Sequence, residues 1–221
     1  MNSIRNFGIK QILIFIFILI LSIAFSGCRH ISNKEKKLVK ISSVIFDIII
    51  DIRYATTNNF TGKKLYCNPY CYLLSSTADK LKNVQSELTE KELFLKIYDA
   101  YRPLKVQKEM WKYLADERYI ANPLYASHSR GAAVDVTLVD KNGVDLDMGT
   151  EFDEFSKKSA PGYFGFPTDI LYNRILLKKV MKKHGFIQST TEWWHFFDKD
   201  WKKYPILDLE DADLRKLEDA D

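Results

Sequence analysis

Cysteine is scarce in this chain: Cys28, Cys67 and Cys71 are the only three among 221 residues. That is too few for a thiolate cage around a structural zinc or for a disulfide framework replacing a core. Charge of one sign is not in excess either. The first 27 residues hold Arg5 and Lys10 and no acid, so without them 31 basic residues face 29 acidic ones and the net charge falls from +4 to +2. Such a balance excludes the basic surface that a phosphate backbone requires, and no nucleic-acid partner is expected. Internal repeats and low-complexity blocks are absent. With 46% hydrophobic and 28% charged residues, the length suits one globular domain with its own core.

A long hydrophobic run occurs once. Ile12 to Phe25 is almost wholly apolar, follows Arg5 and Lys10, and ends at Ser26-Gly27-Cys28. It is short for a membrane span and resembles a lipoprotein-type signal peptide over residues 1–27, with Cys28 becoming the acylated first residue. The competing reading is an uncleaved N-terminal anchor. In both, the domain lies outside the cytoplasm. Residues 28–38, with Arg29, Lys34, Lys36 and Lys37, read as a spacer beside an anionic leaflet, leaving 39–221 as the domain. Cys67 and Cys71 flank Asn68-Pro69-Tyr70; a small disulfide loop, two free thiols and half of a metal site are all open there.

Within the domain, apolar residues at the even positions of Val44–Tyr54 predict a strand. A helix is expected from Ser76, as cap, to about Glu90, with Ala78, Leu81, Val84 and Leu88 inward. A strand over Leu93–Tyr101 and a helix over Leu104–Ala115 carrying Met110, Trp111 and Leu114 follow. The Ala132–Val139 strand should turn at Asp140-Lys141-Asn142-Gly143. A helix from Thr168 stops at Gly185, and a last strand covers Phe186–Phe197 before an acidic tail. Without strict βαβ alternation, the class is α+β.

The chemistry concentrates in two segments. In Ser127-His128-Ser129-Arg130-Gly131-Ala132-Ala133-Val134-Asp135, an aspartate sits inside an apolar strand, where a carboxylate is costly unless a cation compensates it. Thr191-Glu192-Trp193-Trp194-His195 adds a second imidazole and a second acid. A catalytic zinc takes three His, Asp or Glu ligands and keeps one position open. His128, Asp135 and His195 fill that set, with one Zn²⁺ per chain, and Glu192 is the base for the attacking water. In a regular strand Glu192 and His195 point to opposite faces, so a bend or bulge is predicted between them. Trp193 and Trp194 should wall the cleft. Taken singly, each histidine reads as a surface residue. His184 reads as a cation at a helix end and His30 as part of the spacer.

At these residues the sequence resembles the VanX-type D-Ala-D-Ala dipeptidases, within the zinc D,D-peptidases of hedgehog-like fold. The likeness runs through Asp51-Ile52-Arg53-Tyr54-Ala55-Thr56, Asn59-Phe60-Thr61-Gly62, Asp99-Ala100-Tyr101-Arg102-Pro103, Ser127-His128-Ser129-Arg130-Gly131, Met148-Gly149, Phe152-Asp153 and Glu192-Trp193-Trp194-His195. It implies a central, mostly antiparallel sheet flanked by helices. It also implies zinc on His128, Asp135 and His195, Glu192 as general base and then acid, Arg102 stabilising the oxyanion, and Asp153 holding the ammonium of a small dipeptide substrate, D-Ala-D-Ala. Alone, Arg102 reads as an exposed arginine ending a strand, and Asp153 as one more acid in the Glu151–Glu154 run. Ala126 stands where relatives carry a hydroxyl near the substrate. A D,D-carboxypeptidase or endopeptidase acting on attached wall peptides, and a non-catalytic wall-peptide-binding lipoprotein, are the rival functions. No protein partner is inferred.

Overall fold

A computed structural model describes residues 37–219; the expectations for the signal segment, Cys28, His30 and nearly all of the spacer lie outside them. The architecture is α+β. Strand β1 (Leu38–Lys40) pairs antiparallel with β3 (Tyr72–Leu74) in a small ribbon, and a five-stranded sheet has the order β2-β4-β5-β7-β6. Its strands are β2 (Ile49–Ile50), β4 (Leu93–Asp99), β5 (Ala133–Asp140), β6 (Phe186–Gln188) and β7 (His195–Asp198). Among the described residues only the β2–β4 pair is parallel. The helices are α1 (Ile41–Val44), α2 (Ser75–Thr89), α3 (Leu104–Tyr113), α4 (Thr168–Lys183) and α5 (Asp211–Glu218). Among the described residues no helix is long and apolar enough to cross a membrane.

The core lies between the sheet and the pair α2 and α4. Ala78, Leu81, Val84 and Leu88 recur every three or four residues on α2 and are fully buried, as a helix with one inward face requires. They join Leu177, Val180 and Met181 of α4 and Val134, Val136 and Leu138 of β5. Since side chains alternate across a strand, Asp135 and Thr137 occupy the other face of β5. They too are buried, so the central strand is covered on both sides.

Three expectations need correction. The Val44–Tyr54 strand shrinks to Ile49–Ile50 between α1 and a 3₁₀ turn at Arg53–Ala55. The buried residues there are Ile41, Ile45, Ile48, Ile52 and Tyr54, while Phe46 is 89% exposed. Their spacing follows the core through a helix, a turn and a 3₁₀ turn on either side of a half-buried strand, which an even-position count cannot separate. Helix α2 starts at Ser75 with Leu74 in the cap position and no side-chain cap bond, so Ser76 is not its cap. The expected Phe186–Phe197 strand is a hairpin of β6 and β7 around the loop 189–194. Cys67 is exposed, Cys71 is buried in the core, and both are free thiols. The Asp140–Gly143 turn is present, with Gly143 donating to the Asp140 carbonyl at 3.0 Å, but the chain returns through a single bridge, Val139 to Asp145.

Candidate active site

The site is a row of side chains across three adjacent strands, and an irregularity in the sheet makes the row. Pairing between β4 and β5 runs Ile97 to Val136 and then Asp99 to Asp135. One extra residue on β4 at that step is a β-bulge, which re-aims the side chain that follows it. It brings Asp99 opposite Asp135, and Asp135 is in turn paired with His195 of β7. His128 arrives from above, on a 3₁₀ turn over His128–Arg130. That turn ends at Gly131, whose φ is +64°, and a Cβ there would lie 2.7 Å from Leu38 Cδ2 and 3.2 Å from the Leu74 nitrogen. Only glycine satisfies both the left-handed backbone and that close approach.

His128 Nδ1 lies 2.6 Å from the Ala100 carbonyl oxygen. A carbonyl only accepts, so Nδ1 carries the proton and the Nε2 lone pair is free. Nε2 is 3.1 Å from His195 Nδ1 and 3.3 Å from Asp135 Oδ1, and His195 Nδ1 is 2.8 Å from the same carboxylate oxygen. The three candidate ligand atoms lie within 4.8 Å of one another. Two imidazole nitrogens and a carboxylate oxygen converging in this way fit a divalent cation, and the Ala100 carbonyl holds the His128 ring in place.

Glu192 lies outside the strands, in the β6–β7 loop, as the predicted bend requires. The loop is pinned by Trp193 N to Ser159 O at 3.0 Å, Trp193 Nε1 to Thr150 Oγ1 at 2.8 Å and Gln188 Nε2 to Trp193 O at 2.8 Å. Trp194 faces the pocket, whereas Trp193 lines the cavity next to it, so only one of the two tryptophans walls the site. The pocket is small, about 40 Å³, and its lining includes all six expected residues: Arg102, His128, Asp135, Asp153, Glu192 and His195. His184 is elsewhere, bonded to Glu87 at 2.7 Å.

Arg102 is buried rather than exposed. It donates from Nε and Nη2 to Asp99 Oδ2 at 2.9 and 2.7 Å, and Nη2 lies 3.8 Å from Asp135 Oδ2. Burial opposes its charge, but Asp99, then Tyr54, Tyr66 and Asp135, hold its pKa well above the usual arginine value. Asp153 has a left-handed φ of +63°. It accepts from Tyr54 Oη at 3.0 Å and from the Phe60 backbone N–H at 3.1 Å.

The acids divide by surroundings. Burial alone would raise Asp135, but His128 and His195 overcome it and keep that carboxylate ionised. Burial pushes Asp153 up to about 7, against the bonds from Phe60 and Tyr54. Glu192 is raised well above the carboxylate range, by burial first and then by Asp135 and Asp153. Burial lowers His195 despite Asp135. Asp99, Asp135, Asp153 and Glu192 gather around one guanidinium, more carboxyl groups than one cation keeps ionised, and a divalent cation would relieve that crowding.

Sequence reasoning missed Asp99 and Gln107, and gave Tyr54 no role. Asp99 carried a usable signal, an acid ending an apolar strand, as Asp135 lies within one. Gln107 carried none.

This geometry agrees with the relatives of the chain. The family model described as D-Ala-D-Ala dipeptidase matches residues 34–209. A D-alanyl-D-alanine dipeptidase of Escherichia coli is 37% identical over 172 residues, covering 77% of this chain and 89% of that protein. Those of Enterococcus faecium and Enterococcus faecalis are 28% identical over 191 residues and 27% over 184, covering 75% and 73% of this chain and 92% and 91% of their own. The chain belongs to the D-Ala-D-Ala dipeptidase family of metallopeptidases.

Proposed function

We propose that this protein is a zinc-dependent peptidase that hydrolyses free D-Ala-D-Ala to two D-alanines, outside the cytoplasm and tethered by lipid on Cys28. The observation that carries the reading is the convergence of His128 Nε2, Asp135 Oδ1 and His195 Nδ1 within 4.8 Å, in a pocket that also holds Glu192, Arg102 and Asp153.

His128, Asp135 and His195 would hold the ion. When bound, it supplies Lewis acidity, which polarises a carbonyl and makes a water easier to deprotonate. Glu192 takes the proton of the attacking water and delivers it to the departing amine nitrogen. Arg102, locked by Asp99, offers its free N–H groups to the oxygen on which negative charge develops. Asp153, steadied by Tyr54 and the Phe60 amide, pairs with the substrate ammonium. Trp194, Phe155 and Ile120 exclude bulk water and strengthen each of these interactions.

A carboxylate in the lining of the pocket, Asp153, favours a free dipeptide over a wall-attached peptide. An acylated amine would leave Asp153 without its cation, and a buried polar group left unpaired costs binding. Chain turnover measured on free and on N-acetylated D-Ala-D-Ala, with and without a chelator, tests this. Free dipeptide should be preferred and the chelator should abolish activity; preference for the acylated substrate would refute the reading. The run Ile12–Phe25 followed by Ser26-Gly27-Cys28 supports export and a role in scavenging dipeptide released from the wall.

A further inference from the structure

Arg102 is the one arginine or lysine lining the pocket among the described residues, and its hydrogen bonds can be counted. A guanidinium has five N–H groups. Asp99 Oδ2 takes one from Nε and one from Nη2, and Gln107 Oε1 takes one from Nη1 at 2.8 Å. The remaining N–H groups lie on the two terminal nitrogens, with Tyr66 and Asp135 also close to the guanidinium. Gln107 is 1% exposed. Its other amide atom, Nε2, donates to the Ala121 carbonyl at 2.7 Å. The amide orientation is fixed by chemistry, since arginine only donates and a backbone carbonyl only accepts.

A buried glutamine is costly unless both ends are satisfied, and here its two partners belong to the pocket. Ala121, with Tyr119 and Ile120, forms one wall; Arg102 is the cation beneath it. We propose that Gln107 is a positioning residue: it holds the Arg102 guanidinium at the angle set by Asp99 and ties it to the Tyr119–Ala121 wall. Where the wall sits and where the oxyanion donor points are then set by one side chain on α3. This rests on the role given to Arg102 above.

The test compares Q107L, which removes both bonds at similar volume, Q107E, which keeps an acceptor for Arg102 but sets an oxygen against the Ala121 carbonyl, R102A, and the double variant R102A/Q107L. For Q107L, kcat should fall roughly 10–100-fold, below the loss expected for deleting the donor itself. Its KM should rise as well, because the wall loses its tie, while bound zinc per chain should stay within about threefold. Q107E should keep kcat within about fivefold and raise KM, because it spares the arginine and disturbs the wall. The double variant should have the kcat of R102A within about twofold, since Gln107 acts on kcat only through Arg102. A wild-type protein inactive on D-Ala-D-Ala sinks the proposed function, and normal turnover by R102A sinks the role of Arg102. If R102A is impaired but Q107L turns over normally, or lowers R102A by its own factor again, the clamp is wrong. Should Q107L not fold, Q107E decides alone, and loss of its kcat at unchanged KM overturns the proposal.

Discussion

Each acid of the pocket answers to its own neighbours, so single substitutions should separate their roles. Glu192→Gln keeps the shape of the side chain and removes the base; kcat on D-Ala-D-Ala should fall by roughly 10²–10⁴ while metal analysis finds the ion still bound. Normal turnover in that variant would overturn the assignment. Asp153 is distinguished by pH. Burial puts its pKa at about 7, above its value in the unfolded chain, so in the free protein it takes up a proton as pH falls through neutrality. Only the carboxylate attracts an ammonium. The Kd of the dipeptide for the Glu192→Gln variant, in which position 192 no longer titrates, should therefore rise about tenfold per pH unit below 7. Adding Asp153→Asn should weaken binding at pH 8 and flatten that slope. A slope that survives the substitution would assign the titration to another group.

At the scale of elements, the site depends on departures from regularity. A bulge in β4 aligns Asp99 with Asp135, a 3₁₀ turn presents His128, and the break between β6 and β7 frees Glu192 from the strand that carries His195. Gly131 closes the second of these. Gly131→Ala would force an alanine to φ near +64° against Leu38 and the Leu74 backbone, costing about 1–3 kcal/mol for the backbone alone. Thermal unfolding should show a lower Tm, and zinc titration a weaker site, because the turn bearing His128 shifts. An unchanged Tm and affinity would mean that the turn does not place the ligand. The same irregularities set what could be read from the chain. Asp135 was legible because an acid amid valines contradicts its strand. The bend before His195 was legible because two residues three apart on one strand cannot serve one site. Gln107 and the Tyr119–Ala121 wall were not, since their contacts depend on how a loop folds back over α3. The Val44–Tyr54 segment misled because a helix end, a turn, a two-residue strand and a 3₁₀ turn succeed one another within it.

The whole molecule joins distant segments at one point: Asp99 to Arg102, His128 to Asp135, and Glu192 to His195 meet only when the sheet is complete. A cation held by ligands on two of them binds the folded state far better than the unfolded one, so ion binding and stability are linked. Free zinc at a thousandfold its Kd should add about 4 kcal/mol of stability, which for a domain of this size moves Tm upward by roughly 8–16 °C. The shift should grow with the logarithm of zinc concentration and vanish in His128→Ala, where one ligand is gone. A Tm indifferent to zinc in the wild-type protein would deny the metal centre. Location is the other property of the whole chain, and the proposed one hangs on Cys28. If that residue carries lipid, the protein expressed from its full sequence should partition with membranes and incorporate labelled palmitate, and Cys28→Ser should abolish the label while purified protein keeps its dipeptidase activity. Unlabelled wild-type protein in the membrane fraction would instead favour an uncleaved N-terminal anchor, and wild-type protein in the cytosol would end the proposal that the substrate is met outside.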